Sequence, residues 1–174
     1  MKNLLTICLL MATVFTVHAQ DGKFEIQKEI VEILHNAPKV YTDDGDMYQN
    51  IVSFKFLSDN VLEFYMHQYP VRQGEKEYDQ KRGYIKITLD FSKIKMVLPN
   101  LKKTGYGYSG ILLSSTYAGE GGSYIGMQFT EADNYGIHTM SRLGDVEWES
   151  QIIMPIDDTQ LITLFKEYIK LFPN

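Results

Sequence analysis

The residues with most to offer a ligand lie between positions 105 and 126. Tyr106, Tyr108, Tyr117 and Tyr124 are spread there among seven glycines. Tyrosine presents a flat apolar face and a hydroxyl, a combination suited to sugars and peptides. Glycine lets a partner approach the backbone closely. Trp148, the one tryptophan, follows in a run of alternating apolar and polar residues. Tyr106, Tyr108, Tyr117, Tyr124 and Trp148 are the candidate ligand-binding set. A concave surface lined by Tyr106, Tyr108 and Trp148 would mark a binding module. The plainer reading is that tyrosine is at home in strands and on sheet surfaces.

Other chemistry-bearing patterns are weaker. Gly105-Tyr-Gly107-Tyr-Ser-Gly110 spells G-x-G-x-x-G, but the apolar Ile111-Leu-Leu that follows reads as a strand. A dinucleotide site needs a helix there, so that the pyrophosphate meets its N-terminus. Ser109 lacks the G-x-S-x-G elbow. Asp43-Asp44-Gly45-Asp46 looks calcium-like, yet the twelfth position from Asp43 is Phe54, where such a loop needs a bidentate glutamate. His35, His67 and His138 have no second histidine or cysteine at metal-ligand spacing. His35 closes a helix, and His67 falls on the outward face of a strand. Glu147 and Glu149 share one strand face and can keep an edge soluble. Lys93, Lys95, Lys102 and Lys103 are the one basic cluster, able to meet an anionic headgroup or simply to face solvent. No catalytic residue, metal ligand or cofactor site is expected.

The chain has 174 residues and a formal charge of −5, with 22 acidic and 17 basic side chains. That balance argues against general nucleic-acid binding, which needs a surplus of Lys and Arg. Lys2, the apolar stretch Leu4 to Val17 and the small residues of Val17-His18-Ala19 follow the secretion-signal pattern. Residues 1–19 are therefore expected to be a signal peptide and residues 20–174 one globular domain. The Ala19-Gln20 junction resembles exported proteins of the Bacteroidetes type. Cleavage removes Cys8, the only cysteine, and leaves no apolar run of membrane length. The product is expected outside the cytoplasm, periplasmic or extracellular.

The elements that position these residues follow from hydrophobic periodicity. Ile26, Ile30, Ile33 and Leu34 make one stripe on a helix over 24–36, which Pro38 ends. Val52, Phe54 and Phe56, then Leu62, Phe64 and Met66, alternate on either side of Ser58-Asp59-Asn60, a β-hairpin in which Lys55 faces Glu63. Residues 68–82 read as loop. Ile85, Ile87, Leu89 and Phe91 give the clearest strand, and Ile94, Met96 and Leu98 continue it round a bend before a loop from Pro99. Strands are expected over 111–117 and 125–129. One more, from Val146 to Met154, has Trp148 on its core side. Asp157, with Gln160 three residues on, marks the start of a helix that runs to Phe172.

Helix, about seven strands, helix, with no helix between strands, predicts an α+β fold. Its sheet is antiparallel, a β barrel or strongly curved, with an N-terminal and a C-terminal helix. The run Tyr84 to Ile94, a strand entering a bend, and the helix Asp157 to Phe172 carry a resemblance to the pleckstrin-homology-like barrel over residues 50–172. The resemblance implies a barrel closed at one end by its last helix, and a scaffold that binds lipids and peptides. It implies no particular site residue.

The expected function is a non-enzymatic binding module for a glycan, peptide or lipid. The alternative is a protein-interaction partner, inhibitor-like or immunity-like, acting through a sheet edge or the acidic surface. A hydrolase with dispersed residues ranks last. The expected partners are a small ligand or an envelope protein, with no nucleic acid and no integral membrane span after cleavage.

Overall fold

Alternating side chains build the molecule around one large sheet. The computed structural model describes residues 22–42, 45, 47–68, 71–72, 74, 83–100, 109–117, 122–131, 142–143 and 146–172. The proposed signal peptide lies outside them, as do Tyr106, Tyr108, His138, Lys102, Lys103, Asp43, Asp44 and Asp46. In chain order the described elements begin with a helix over 22–36 (α1). The strands are Val40–Tyr41 (β1), Met47–Gln49 (β2), Ile51–Ser58 (β3), Val61–His67 (β4), Val71–Arg72 (β5), Gly83–Asp90 (β6), Met96–Asn100 (β7), Gly110–Ser114 (β8), Ile125–Glu131 (β9), Arg142–Leu143 (β10), Glu147–Glu149 (β11) and Gln151–Met154 (β12). The last element is a helix, Thr159–Ile169 (α2).

The fold is α+β, and every strand pair is antiparallel. The largest sheet has the order β10-β9-β6-β4-β3, with β11 also on β9. A second sheet has the order β12-β8-β7, and a third the order β1-β2-β5. These remain three separate sheets among the described residues, not one closed barrel of about seven strands. The chain passes between the two larger sheets three times, after β6, after β8 and after β11, and two of these passages are short. One is the bend Phe91 to Ile94 after β6. The other is Ser150, which hands the chain from β11 to β12. A strand that bends to join a second sheet is a common way of making a corner between sheets.

Period-two alternation sorts the large sheet into an inner and an outer face. In register across it lie Phe56, Leu62 and Leu89, then Phe54, Phe64, Ile87 and Met127, then Ile51, Met66, Ile85 and Phe129. Leu62, Phe64, Ile87 and Leu89 are fully buried. Removing each such side chain from water stabilises the fold by about 1.5–3 kcal/mol. The helices seal the first of these rows. Tyr168 and Phe165 of α2 pack on Phe91 with ring centroids 5.0 and 5.3 Å away, and Tyr168 meets Phe56 at 6.0 Å. The Tyr168 hydroxyl donates to the Asp59 carbonyl in the β3–β4 turn and accepts from Gln27 Nε2 of α1 at 2.7 Å. Burial, aided by the Asp59 carboxylate, pushes the Tyr168 hydroxyl up to about 12.

Several expectations are corrected by what surrounds them. The helix is capped by Asp158, whose Oδ1 accepts from the Leu161 N–H at 2.8 Å, not by Asp157. Part of the expected 68–82 loop is β5, which pairs with β2 to build the third sheet. Gln49 of that sheet donates its side-chain N–H to the His67 carbonyl. His67 is thus fully buried rather than outward, its ring 6.3 Å from Tyr48 and 5.7 Å from Tyr84. Pro99 sits inside β7, which is tolerated because β7 is an edge strand and proline has no N–H to donate.

Candidate functional site

The run Val146 to Met154 is not one strand, and the break at Ser150 reorganises the candidate site. Before the break, Trp148 pairs with Gly126, which in turn pairs with Thr88. Directly opposed residues share a face, so Trp148 stands with Thr88 on the outer face of the large sheet. It is 60% exposed, the reverse of the core position expected for it. The reason is the corner. Alternation carries Ile152 and Met154 into the core only after the chain has changed sheets. The indole is seated by its partner: a Cβ at Gly126 would lie 3.6 Å from the Trp148 ring.

Two tyrosines come to the same corner. The Tyr124 N–H donates to the Glu149 carbonyl at 3.1 Å, and the Ser115 N–H donates to the Ser150 carbonyl at 2.8 Å, two residues before Tyr117. Tyr117, Tyr124 and Trp148 are each about half exposed or more. Lys95 lies over the Tyr117 ring, 5.2 Å from its centre. The structure therefore gathers Tyr117, Tyr124 and Trp148 around Glu149-Ser150. The G-x-G-x-x-G string finds a packing reason at its last position. A Cβ at Gly110 would collide with the Met154 carbonyl oxygen of β12.

The inner side of the same corner holds a pocket of about 330 Å³. Met66, Ile85 and Met127 line it from the large sheet. Leu112, Ile152 and Ile153 line it from the second sheet. Two polar residues also line it, Glu149 and Gln151, on either side of Ser150. Glu149 belongs here because it alternates with Trp148 and so points to the other face of β11. Both polar residues are exposed, and neither has a side-chain partner among the described residues. Methionine is unbranched and polarizable, and adapts to an irregular guest. Sequence alternation placed Met66, Ile85, Met127 and Ile152 on inner faces. The void escaped it, because the gap arises where two sheets part.

On the outer face, the same sheet spends its charges internally. Glu63 is 7% exposed, with Lys55 Nζ at 3.1 Å and Lys86 Nζ at 3.8 Å. The expected Lys55–Glu63 pair is thus present, with Lys86 as a second partner. Burial first, and then the Glu63 charge, raises the neighbouring Tyr65 hydroxyl above its ordinary value. A second pocket of about 340 Å³ lies between α1 and the start of α2, with Glu29, Glu32 and Asp158 in its lining. Its Asp158 is committed to capping α2. Among the described residues no cluster of three or more His, Cys, Asp or Glu is arranged to hold a metal ion. None of the described helices is long and apolar enough to cross a membrane.

Compared with known proteins, the chain matches no family model, no curated protein and no solved structure. The functional reading therefore rests on the site itself.

Proposed function

We propose that this protein is a binding module that takes an apolar small molecule, of the lipid class, between its two larger sheets. The observation that carries this reading is the pocket lined by Met66, Ile85, Leu112, Met127, Ile152 and Ile153. Its size falls within the usual range for ligand sites, about 300–1,000 Å³, and a mostly apolar lining with few polar groups is the common pattern. A sheet-built scaffold with a C-terminal helix over one end also supports a pleckstrin-homology-like reading. The leader pattern supports action outside the cytoplasm.

The test is a thermal-shift series of medium-chain alcohols and fatty acids, repeated on Leu112→Trp, which fills the pocket from β8. A ligand at about 100 times its dissociation constant stabilises the fold by about 2.7 kcal/mol. At this chain length that moves the melting point by several degrees. The proposal expects such a shift in the parent protein and its loss in Leu112→Trp. Equal shifts in both would place the ligand elsewhere.

A second reading draws on the outer side of the corner. Trp148 and Tyr124, both exposed beside Glu149, offer ring faces on which a glycan could stack. Retardation of the protein in gels containing soluble polysaccharides, abolished by Trp148→Ala and Tyr124→Ala, would support it. Mobility indifferent to both substitutions would remove it.

A further inference from the structure

The inner pocket carries more information than its apolar lining. Among the described residues of its lining, two have polar side chains, and both lie within three consecutive residues, Glu149 to Gln151. The other described lining side chains, Met66, Ile85, Leu112, Met127, Ile152 and Ile153, are hydrocarbon or thioether. Among the described lining, a guest filling this space therefore meets polar side chains on one side.

The state of those polar groups matters as much as their place. Elsewhere on the large sheet a carboxylate is consumed by its own neighbours, as Glu63 is by Lys55 and Lys86. Glu149 has no cation and no side-chain donor among the described residues, and the Gln151 side chain is likewise without a partner. Glu149 is the one titratable side chain among the described residues of the lining. A carboxylate left unspent beside an apolar cavity complements a cationic donor, and repels an anionic one.

We infer that the pocket selects a small molecule with an apolar body and a single protonated amine, its ammonium held by Glu149 and Gln151. This rests on the pocket reading above and names the ligand class for it. An amine of this kind is protonated at neutral pH, as a lysine side chain is. Its three N–H donors can reach the Glu149 carboxylate and the Gln151 side-chain carbonyl together. The apolar body lies against Met66, Met127 and Ile153.

The experiment compares three probes that share one chain, octylamine, octanol and octanoate, by calorimetric titration at pH 7. The parent protein and Glu149→Gln are titrated side by side. The expected order in the parent is octylamine tighter than octanol by roughly 3- to 10-fold, the range from an exposed ion pair to a charge-assisted hydrogen bond. Octanoate should be the weakest. Glu149→Gln should bring octylamine and octanol within about 2-fold of each other, since the charge is gone and the hydrocarbon contacts stay. The amine's advantage in the parent should also shrink as salt is raised from 0.01 to 0.5 M, because this side of the pocket faces solvent. Equal binding of octylamine and octanol in the parent overturns the inference and leaves the pocket reading standing. An amine preference that survives Glu149→Gln overturns it too. Failure of all three probes to bind removes the pocket reading itself, and the inference with it.

Discussion

The two ends of the large sheet carry the same kind of sequence and have opposite fates. At one end, the row Phe56, Leu62 and Leu89 lies under α1 and α2, and Phe91, Phe165 and Tyr168 close it with aromatic rings 5.0–5.3 Å apart. At the other, Met66 and Ile85 continue the same alternation but face a cavity. Inner-facing apolar residues thus produce a packed core only where another element arrives to cover them. Where two sheets diverge instead, the same residues border a cavity. A strand's pattern states which side is apolar, and the tertiary arrangement decides what that side meets.

That contrast can be tested by substitution, and the closed end should respond most. Phe91→Ala removes a ring that touches three others, and should cost about 3–5 kcal/mol in urea unfolding. A loss below 1 kcal/mol would mean that the helices do not seal this end. Met127→Ala, at the half-buried wall of the pocket, should cost only about 1–2 kcal/mol, because the side chain already borders open space. It should also let longer alkyl probes bind. A cost equal to that of Phe91→Ala would erase the contrast.

Tyr168 sharpens the contrast through pH. Its folded pKa stands near 12, above the ordinary value of 10.0. The folded state therefore holds this proton more tightly than the unfolded chain. Its contribution to stability is complete below about pH 10 and is lost as pH rises through about 12. Urea unfolding at pH 8 and pH 11 should show the parent weakening over that interval, and Tyr168→Phe weakening less. At pH 8, Tyr168→Phe should itself cost about 0.5–1.5 kcal/mol, the worth of a typical hydrogen bond. Trp148→Ala should have the smallest effect, within about 0.5 kcal/mol, despite the size of the side chain, because most of it is already in water. A larger loss would mean that the outer face supports the fold.

Much of this frame was legible in the residues. The stripe Ile26, Ile30, Ile33 and Leu34 belongs to α1, which is helical throughout the described residues 22–36. The hairpin β3–β4 has the expected turn and the expected Lys55–Glu63 pairing. The strand β6 and the buried face of α2 also stand where periodicity put them. The misses share a cause. Ser150 is neither Gly nor Pro, so nothing in the sequence announces a corner: Val146 to Met154 reads as one strand with Trp148 on its core side. The short strands β1, β2 and β5 hold two or three residues each, too few to show a period. His67 reads as outward because its strand turns it away from the main core, and the third sheet covers it there with Tyr48 and Gln49. The candidate tyrosines divided. Tyr117 and Tyr124 reached the corner with Trp148, whereas Tyr106 and Tyr108 lie outside the described residues.

The position of Trp148 also governs how this protein can be watched. It is the chain's one indole, and it is 60% exposed in the folded state. Its emission should already lie near that of a water-surrounded indole, so global unfolding will change it little. The small change a melting curve shows at its wavelength reports the β9–β11 ladder around the indole more than the core. Circular dichroism, or absorbance from buried Tyr84 and Tyr168, should follow the sealed end instead. Disagreement between the two probes would mean that the corner loosens before the sheet does, because coincident transitions are the mark of all-or-none unfolding.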